Sequence, residues 1–186
     1  MARLSYTAIV SLDGYVEDRH GDFSWATPDE QVHALANDLT RPLGTHLLGR
    51  RMYETMLYWE GVSSESDDPP VAREFAEIWQ RADKVVYSTT LAAPASARTR
   101  LERDFNVDDV RAFVDRAELD VAVAGATLAA HAIRAGAVDD FHLIVVPVMI
   151  GGGRRALPDD AWVDLTLVEV RRFDSGVVYL HYTTAR

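Results

Sequence analysis

The 186 residues contain no cysteine, so neither a disulfide framework nor a thiolate metal site can form, which fits a reducing cytoplasm. Lysine is nearly missing too: Lys84 stands alone, and arginine carries the rest of the positive charge. Basic residues number 19 against 29 acidic ones, a formal net charge of −10. A chain so charged repels a polyanion, which argues against nucleic acid as a partner. A small anion needs only a local cluster of donors and stays possible. No apolar run approaches the roughly 20 residues that a membrane helix requires. The longest, Leu143 to Ile150, is interrupted by Pro147 and reads as a buried strand. The opening Met1-Ala2-Arg3-Leu4-Ser5-Tyr6 lacks the apolar stretch of a secretory signal. The expectation is a cytoplasmic protein with no membrane partner.

Several kinds of chemistry are missing as motifs. The histidines never fall at metal-binding spacing, with no His-Glu-x-x-His, so no metal is expected. His33 and His131 fall in predicted helices, and His46, His142 and His181 in predicted strands. No Gly-x-Ser-x-Gly supplies a hydrolase nucleophile. There is no P-loop and no Gly-x-Gly-x-x-Gly after the first strand, which disfavours an ordinary Rossmann domain.

What is present is a globular balance, 48% hydrophobic and 26% charged, over a length that suits one domain spanning 1–186. Leu4 to Leu12 reads as a buried strand ended by Asp13-Gly14, followed by an irregular loop to Thr27. Thr27-Pro28-Asp29-Glu30 predicts a helix start with Thr27 as cap, Pro28 in the first turn and Glu30 closing a capping box. Val32, Leu35, Ala36 and Leu39 follow at helical spacing. Strand and helix then alternate: strand 45–48, helix 50–59, helix 71–81, strand 84–88, helix 107–117, strand 119–124, helix 127–135 ended by Gly136, and strand 141–148. Two last strands, 163–173 and 177–183, flank Asp174-Ser175-Gly176 as an antiparallel hairpin. The expectation is an α/β fold in three layers, with a mixed, mostly parallel sheet between helices.

Three strand ends invite a ligand. Leu48-Gly49-Arg50-Arg51-Met52 places two arginines at a helix start, where their charge opposes the helix dipole. A bound phosphate would explain them, and so would pairing with surface carboxylates such as Glu54. Ala124-Gly125-Ala126-Thr127-Leu128 ends a strand in small residues, which suits either close backbone approach to a ligand or tight strand-to-helix packing. Ser88-Thr89-Thr90 is a third polar strand end. All three fall at carboxyl ends of parallel strands, where open α/β sheets bind ligands. Val146 to Gly153 forms a further edge, whose last two glycines read as a turn.

Taken in order, these segments resemble the dihydrofolate reductase superfamily, in the branch of the C-terminal reductase domain of the bifunctional riboflavin-biosynthesis enzyme. The matching pieces are Val10 to Val16, Gly49 to Glu54, Val86 to Leu91, Ala124 to Leu128, Ala137 to Asp140, Pro147 to Gly153 and Phe173 to Val178. Two departures stand out. Ala124-Gly125 replaces the usual Gly-Gly, and Asp67-Asp68-Pro69-Pro70 only partly echoes the substrate-holding segment of the riboflavin-pathway enzymes.

The resemblance implies a sheet of about eight strands, bound NADPH and, in many members, a homodimer. It implies that Gly49, Arg50, Arg51 and Met52 hold cofactor phosphates, that Ser88 and Thr89 border the adenosine, and that Gly125, Ala126, Thr127 and Leu128 meet the pyrophosphate. Ala8, Val10, Ile150 and Gly151 would flank the nicotinamide, under a loop carrying Asp13 and Gly14. Glu30 and Asp13 are the candidate catalytic carboxylates, with Trp25 and Asp29 at the substrate. A carboxylate partly buried against an apolar wall has a raised pKa and can relay protons, although Glu30 also serves the expected capping box. The implied activity is hydride transfer from NADPH to a pterin- or pyrimidine-like ring, such as 5-amino-6-(5-phosphoribosylamino)uracil. The other reading is dinucleotide binding on the same fold without turnover.

Overall fold

A computed structural model describes residues 1–185. β1 (Leu4–Ser11) is partly β-branched and is buried or half-buried at every position, as a strand covered on both faces must be. It lies at the centre of an eight-stranded sheet of order β5-β4-β3-β6-β1-β7-β10-β9. The members are β3 (Leu43–Gly49), β4 (Asp83–Tyr87), β5 (Thr99–Glu102), β6 (Asp120–Ala124), β7 (Asp140–Val146), β9 (Leu165–Arg172) and β10 (Val178–Thr184). β1 and β3 to β7 run parallel to one another, while β10 is antiparallel to both β7 and β9. The expected α/β architecture and its closing hairpin are both present. Two very short strands missed by the sequence reading, β2 (Tyr15–Glu17) and β8 (Arg154–Arg155), form a separate antiparallel ribbon. β5 was missed as well.

The helices are α1 (Glu30–Thr40), α2 (Arg50–Met56), α3 (Pro70–Arg81), α4 (Val107–Arg116) and α5 (Ala126–Arg134). On one face α1 packs Val32 and Leu35 on Ile144 and Tyr179, and Trp79 of α3 packs with Leu48, Tyr53 and Val86. On the other, α4 and α5 bury Val110, Val114, Leu128 and Ile133 against Leu47, Val85, Val121 and Val123. α5 stops at Gly136, whose φ of 62° admits the left-handed turn that ends a helix.

The start of α1 differs from expectation. Asp29, not Thr27, is the cap, its carboxylate accepting from the Val32 N–H at 2.8 Å. Thr27 instead donates its hydroxyl to the Ser24 carbonyl, within a 3-10 turn at Ser24–Ala26. Glu30 is therefore the first helical residue, and no capping box forms.

Candidate functional site

The carboxyl ends of β3, β4 and β6 come together because these strands are paired in register, Leu48 beside Ala124 and Gly49 beside Tyr87. α2 and α5 both start at this edge. Gly125 has φ 90°, and a Cβ there would come within 3.2 Å of the Met52 Cβ, so the starts of α2 and α5 nearly touch. Small residues at Gly125 and Ala126 are what this approach requires.

β1 adds the third wall. It pairs with β6 only from Leu4 to Tyr6, yet stays paired with β7 through Ser11. The sheet thus parts beyond Tyr6, between β1 and the start of α5. Ala8 and Val10 are on the separated part of β1, buried in a cluster that contains Ala156, with Val16 packed on it. The β2–β8 ribbon lies alongside: Ala156 donates its N–H to the Gly14 carbonyl, and the Tyr6 hydroxyl donates to the Ala156 carbonyl.

Each side chain singled out from the sequence has a definite place. Arg50 donates to Glu54 at 2.7 Å and to Thr90 at 2.7 Å, tying α2 to the end of β4. The carboxylate pairing weighed for the arginines is formed by both, Arg50 with Glu54 and Arg51, more loosely, with Glu17. Arg51 is largely exposed and lies 3.6 Å from Glu17. Ser88 is buried, and its hydroxyl accepts from the Thr90 and Leu91 N–H groups. Thr89 is exposed beside it. Thr127, exposed at the start of α5, accepts at its hydroxyl from Arg154 at 2.9 Å.

Asp13 accepts from the N–H groups of Ile150 and Gly151, at 3.2 and 2.8 Å. The Ser11 hydroxyl, then the Gly151 and Ile150 amides, lower its pKa. Held ionised by donors, Asp13 is suited to pinning the loop after β1 to the loop after β7, and poorly suited to donating a proton. Gly14, at φ 87°, turns the chain immediately after it. Asp29 is likewise engaged as a cap, its pKa lowered first by the Ser175 hydroxyl and then by the Val32 amide. Glu30 is exposed at the first turn of α1, which corrects the expectation of a carboxylate against an apolar wall. Trp25 is half-buried and donates its indole N–H to the Asp22 carbonyl at 3.3 Å.

The sequence reading missed four charged residues at this edge. Arg103 donates to the carbonyls of Ser88 and Leu91 and holds the turn after β4. Glu17, Arg19 and Arg154 come from the β2–β8 ribbon and its flanking turns. The triple glycine was the signal for them. A Cβ at Gly153 would collide with the Glu17 carbonyl, and one at Gly152 would meet the Arg19 guanidinium at 2.7 Å. Close approach, not a free turn, is what Gly152 and Gly153 provide.

With this geometry in hand, comparison with known proteins is decisive for the family. The model of the RibD C-terminal domain family matches residues 2–179. The chain belongs to that family. The uncharacterized protein YyaP of Bacillus subtilis (strain 168) is 26% identical over 182 residues, covering 97% of this chain and 94% of its own. A solved Shewanella sp. PV-4 protein, whose name links it to riboflavin biosynthesis, superposes with a TM-score of 0.75 at 15% identity over 99% of both chains. Dihydrofolate reductase from Enterococcus faecalis, solved with NADP(H), gives 0.64 at 14% identity over 99% of this chain and 97% of its own. The RibD C-terminal domain fold seen here is thus the dihydrofolate-reductase-like one.

Proposed function

We propose that this RibD C-terminal domain protein is an NADPH-dependent reductase acting on a small conjugated heterocycle, pterin- or pyrimidine-like. The observation that carries the reading is the crevice between the separated part of β1 and the touching starts of α2 and α5. Gly125 is a cradle that any Cβ would fill, and arginines flank it, so the residues present fit a dinucleotide.

In this reading Gly49, Arg51, Met52, Gly125, Ala126, Thr127 and Leu128 hold the pyrophosphate. Arg50, with Ser88 and Thr89, receives the adenosine end and its 2′-phosphate. NADPH, when bound, supplies the hydride. Ala8, Val10, Ile150 and Gly151 form the apolar floor and rim that keep water from the reacting face. Asp13 fixes that rim through two amides, and Gly14 lets the loop fold over it. Trp25 and Glu30, with Asp29 at the cap, border the mouth where a heterocycle would enter. The cytoplasm suits such chemistry, and a homodimer is part of the proposal.

One observation favours the reading without turnover. Asp13 is bound by amide donors that lower its pKa, so it is not poised as a proton donor, and Glu30 is exposed rather than set against an apolar wall. A substrate panel decides between the two: oxidation of NADPH by a pterin or aminouracil supports the reductase. NADPH binding with no oxidation across both substrate classes would leave a binding protein.

A further inference from the structure

Beside the crevice lies an open cavity of about 460 Å³ lined by Glu17, Asp18, Arg19, His20, Arg51 and Arg154, with Gly21 and Gly153. Its charges are unevenly matched. Three arginines face it in a chain of net charge −10. Of the two carboxylates, Asp18 is committed to backbone amides, accepting from His20 at 2.7 Å and Asp22 at 2.9 Å. That leaves Glu17 as the anion shared by the guanidinia. Its Oε1 lies 2.6 Å from Arg154 Nε and 3.6 Å from Arg51 Nη1. Arg154 Nη1 meanwhile donates to Thr127 Oγ1 at 2.9 Å. Arg19 donates only to the Gly151 carbonyl at 3.1 Å, among the described residues.

One carboxylate oxygen between two guanidinia, beside a hydroxyl, is how a phosphate oxygen would be held. The placement of Glu17 is built in, because Glu17 and Arg154 are cross-strand partners in the β2–β8 ribbon. The backbone beneath them is locked where Gly153 admits the Glu17 carbonyl. Glu17 therefore stays at high local concentration over the arginines, and any incoming anion competes with it.

We propose that Arg154, Arg51 and Arg19 form a phosphoryl-binding subsite, and that the Glu17 carboxylate is its internal competitor, displaced when a phosphoryl group binds. The phosphoryl group comes either from the dinucleotide's pyrophosphate, in which case the subsite rests on the proposed cofactor, or from a phosphorylated substrate. Arg154 is a ligand of that group, and Glu17 sets the affinity for it.

The test uses inorganic pyrophosphate as probe, titrated calorimetrically into the full chain. Glu17→Gln keeps the shape and removes the competing charge, and it tightens pyrophosphate about fivefold, the scale of a half-exposed ion pair. Asp22→Asn removes the same charge from the neighbouring turn without freeing an arginine and changes affinity less than twofold. Arg154→Gln weakens binding at least as much as Glu17→Gln tightens it. Should Arg154→Gln melt early, Glu17→Gln against Asp22→Asn decides alone. Repeating the titration on protein saturated with NADPH separates the sources: competition assigns the subsite to the cofactor, and undiminished binding assigns it to a phosphorylated substrate. Equal pyrophosphate affinity in wild type and Glu17→Gln, or equal tightening by Asp22→Asn, overturns the proposal. It does so even if NADPH binds well, and a failure of NADPH to bind leaves the pyrophosphate result standing.

Discussion

Lys84 carries the lone lysine charge into the interior, its side chain fully buried between Glu60 at 3.3 Å and the face of Trp79 at 4.9 Å. Burial pushes its pKa down, and Glu60 opposes that shift. Glu60 also accepts from the Trp79 indole N–H at 2.8 Å, so one carboxylate anchors the turn after α2 to both α3 and β4. Removing it strands a buried cation, whereas replacing the lysine with an apolar residue of similar length removes the need for a partner. Glu60→Ala is expected to cost about 3 kcal/mol in denaturant unfolding, and Lys84→Met about 1 kcal/mol or less. Equal losses would show that the pair does not hold the turn. His46, buried near the same charge, has its pKa lowered to about 4 by desolvation and then by Lys84. Its folded pKa lies below its unfolded value of 6.5, so the unfolded chain binds more protons between the two. Its contribution is complete above pH 6.5 and is lost as pH falls toward about 4, by up to about 3 kcal/mol. His46→Gln should flatten stability over that window, and an unchanged acid slope would exclude His46 as its source. None of this was legible in the sequence, where Lys84 and His46 fall in predicted strands with nothing to mark Glu60 and Trp79 as the groups they meet.

The long elements were legible because their burial is periodic. Val32, Leu35 and Leu39 announced α1, and Gly136 and Asp174-Ser175-Gly176 mark boundaries by local chemistry that survives folding. The short ones were not. Three residues of β2 and two of β8 carry no period, and the ribbon exists because Gly152 and Gly153 let one backbone lie on another. The cap of α1 was misassigned by two residues for a similar reason: Thr27 and Asp29 are both good caps, and the 3-10 turn at Ser24–Ala26 took the threonine hydroxyl. Gly153→Ala, with φ at 143° and its Cβ aimed at the Glu17 carbonyl, is expected to lift β2 from β8, lowering stability by 2 kcal/mol or more, on the order of other strained or overpacked sites. Gly14→Ala, which meets nothing within 4 Å, should cost only its backbone strain, roughly 1 kcal/mol. Urea unfolding of the two variants checks this, and the reverse order would mean that the ribbon is not locked at Gly153.

The sheet as a whole places the pieces of the crevice, and the strand order that does so comes from pairings more than a hundred residues apart, such as Tyr6 with Val123. Seven of the eight strands of the main sheet could be read from the chain, all but β5, but their order could not. Site glycines and arginines were readable as motifs, while Glu17 and Arg154 became visible only when the ribbon brought them together. At the far edge, β9 is exposed along its full length, with Leu167, Val168 and Val170 each more than half exposed. An open apolar edge is a ready template for a second copy across a two-fold axis. Light scattering is expected to give twice the protomer mass, and Val168→Lys to return it to one. A wild-type monomer at high concentration would remove the dimer from the proposal. No helix among the described residues is long and apolar enough to cross a membrane.

The most direct measurement is a thermal-shift titration with NADPH and NADH side by side on the wild-type chain. Ligand at a hundred times its dissociation constant adds about 2.7 kcal/mol to the native state, a readily seen shift. Stabilisation by NADPH, with little or none from NADH at the same concentration, is the result expected of a dinucleotide crevice whose outer corner is Arg50. No stabilisation by either would contradict it, and the arginines and glycines at that edge would then need another ligand.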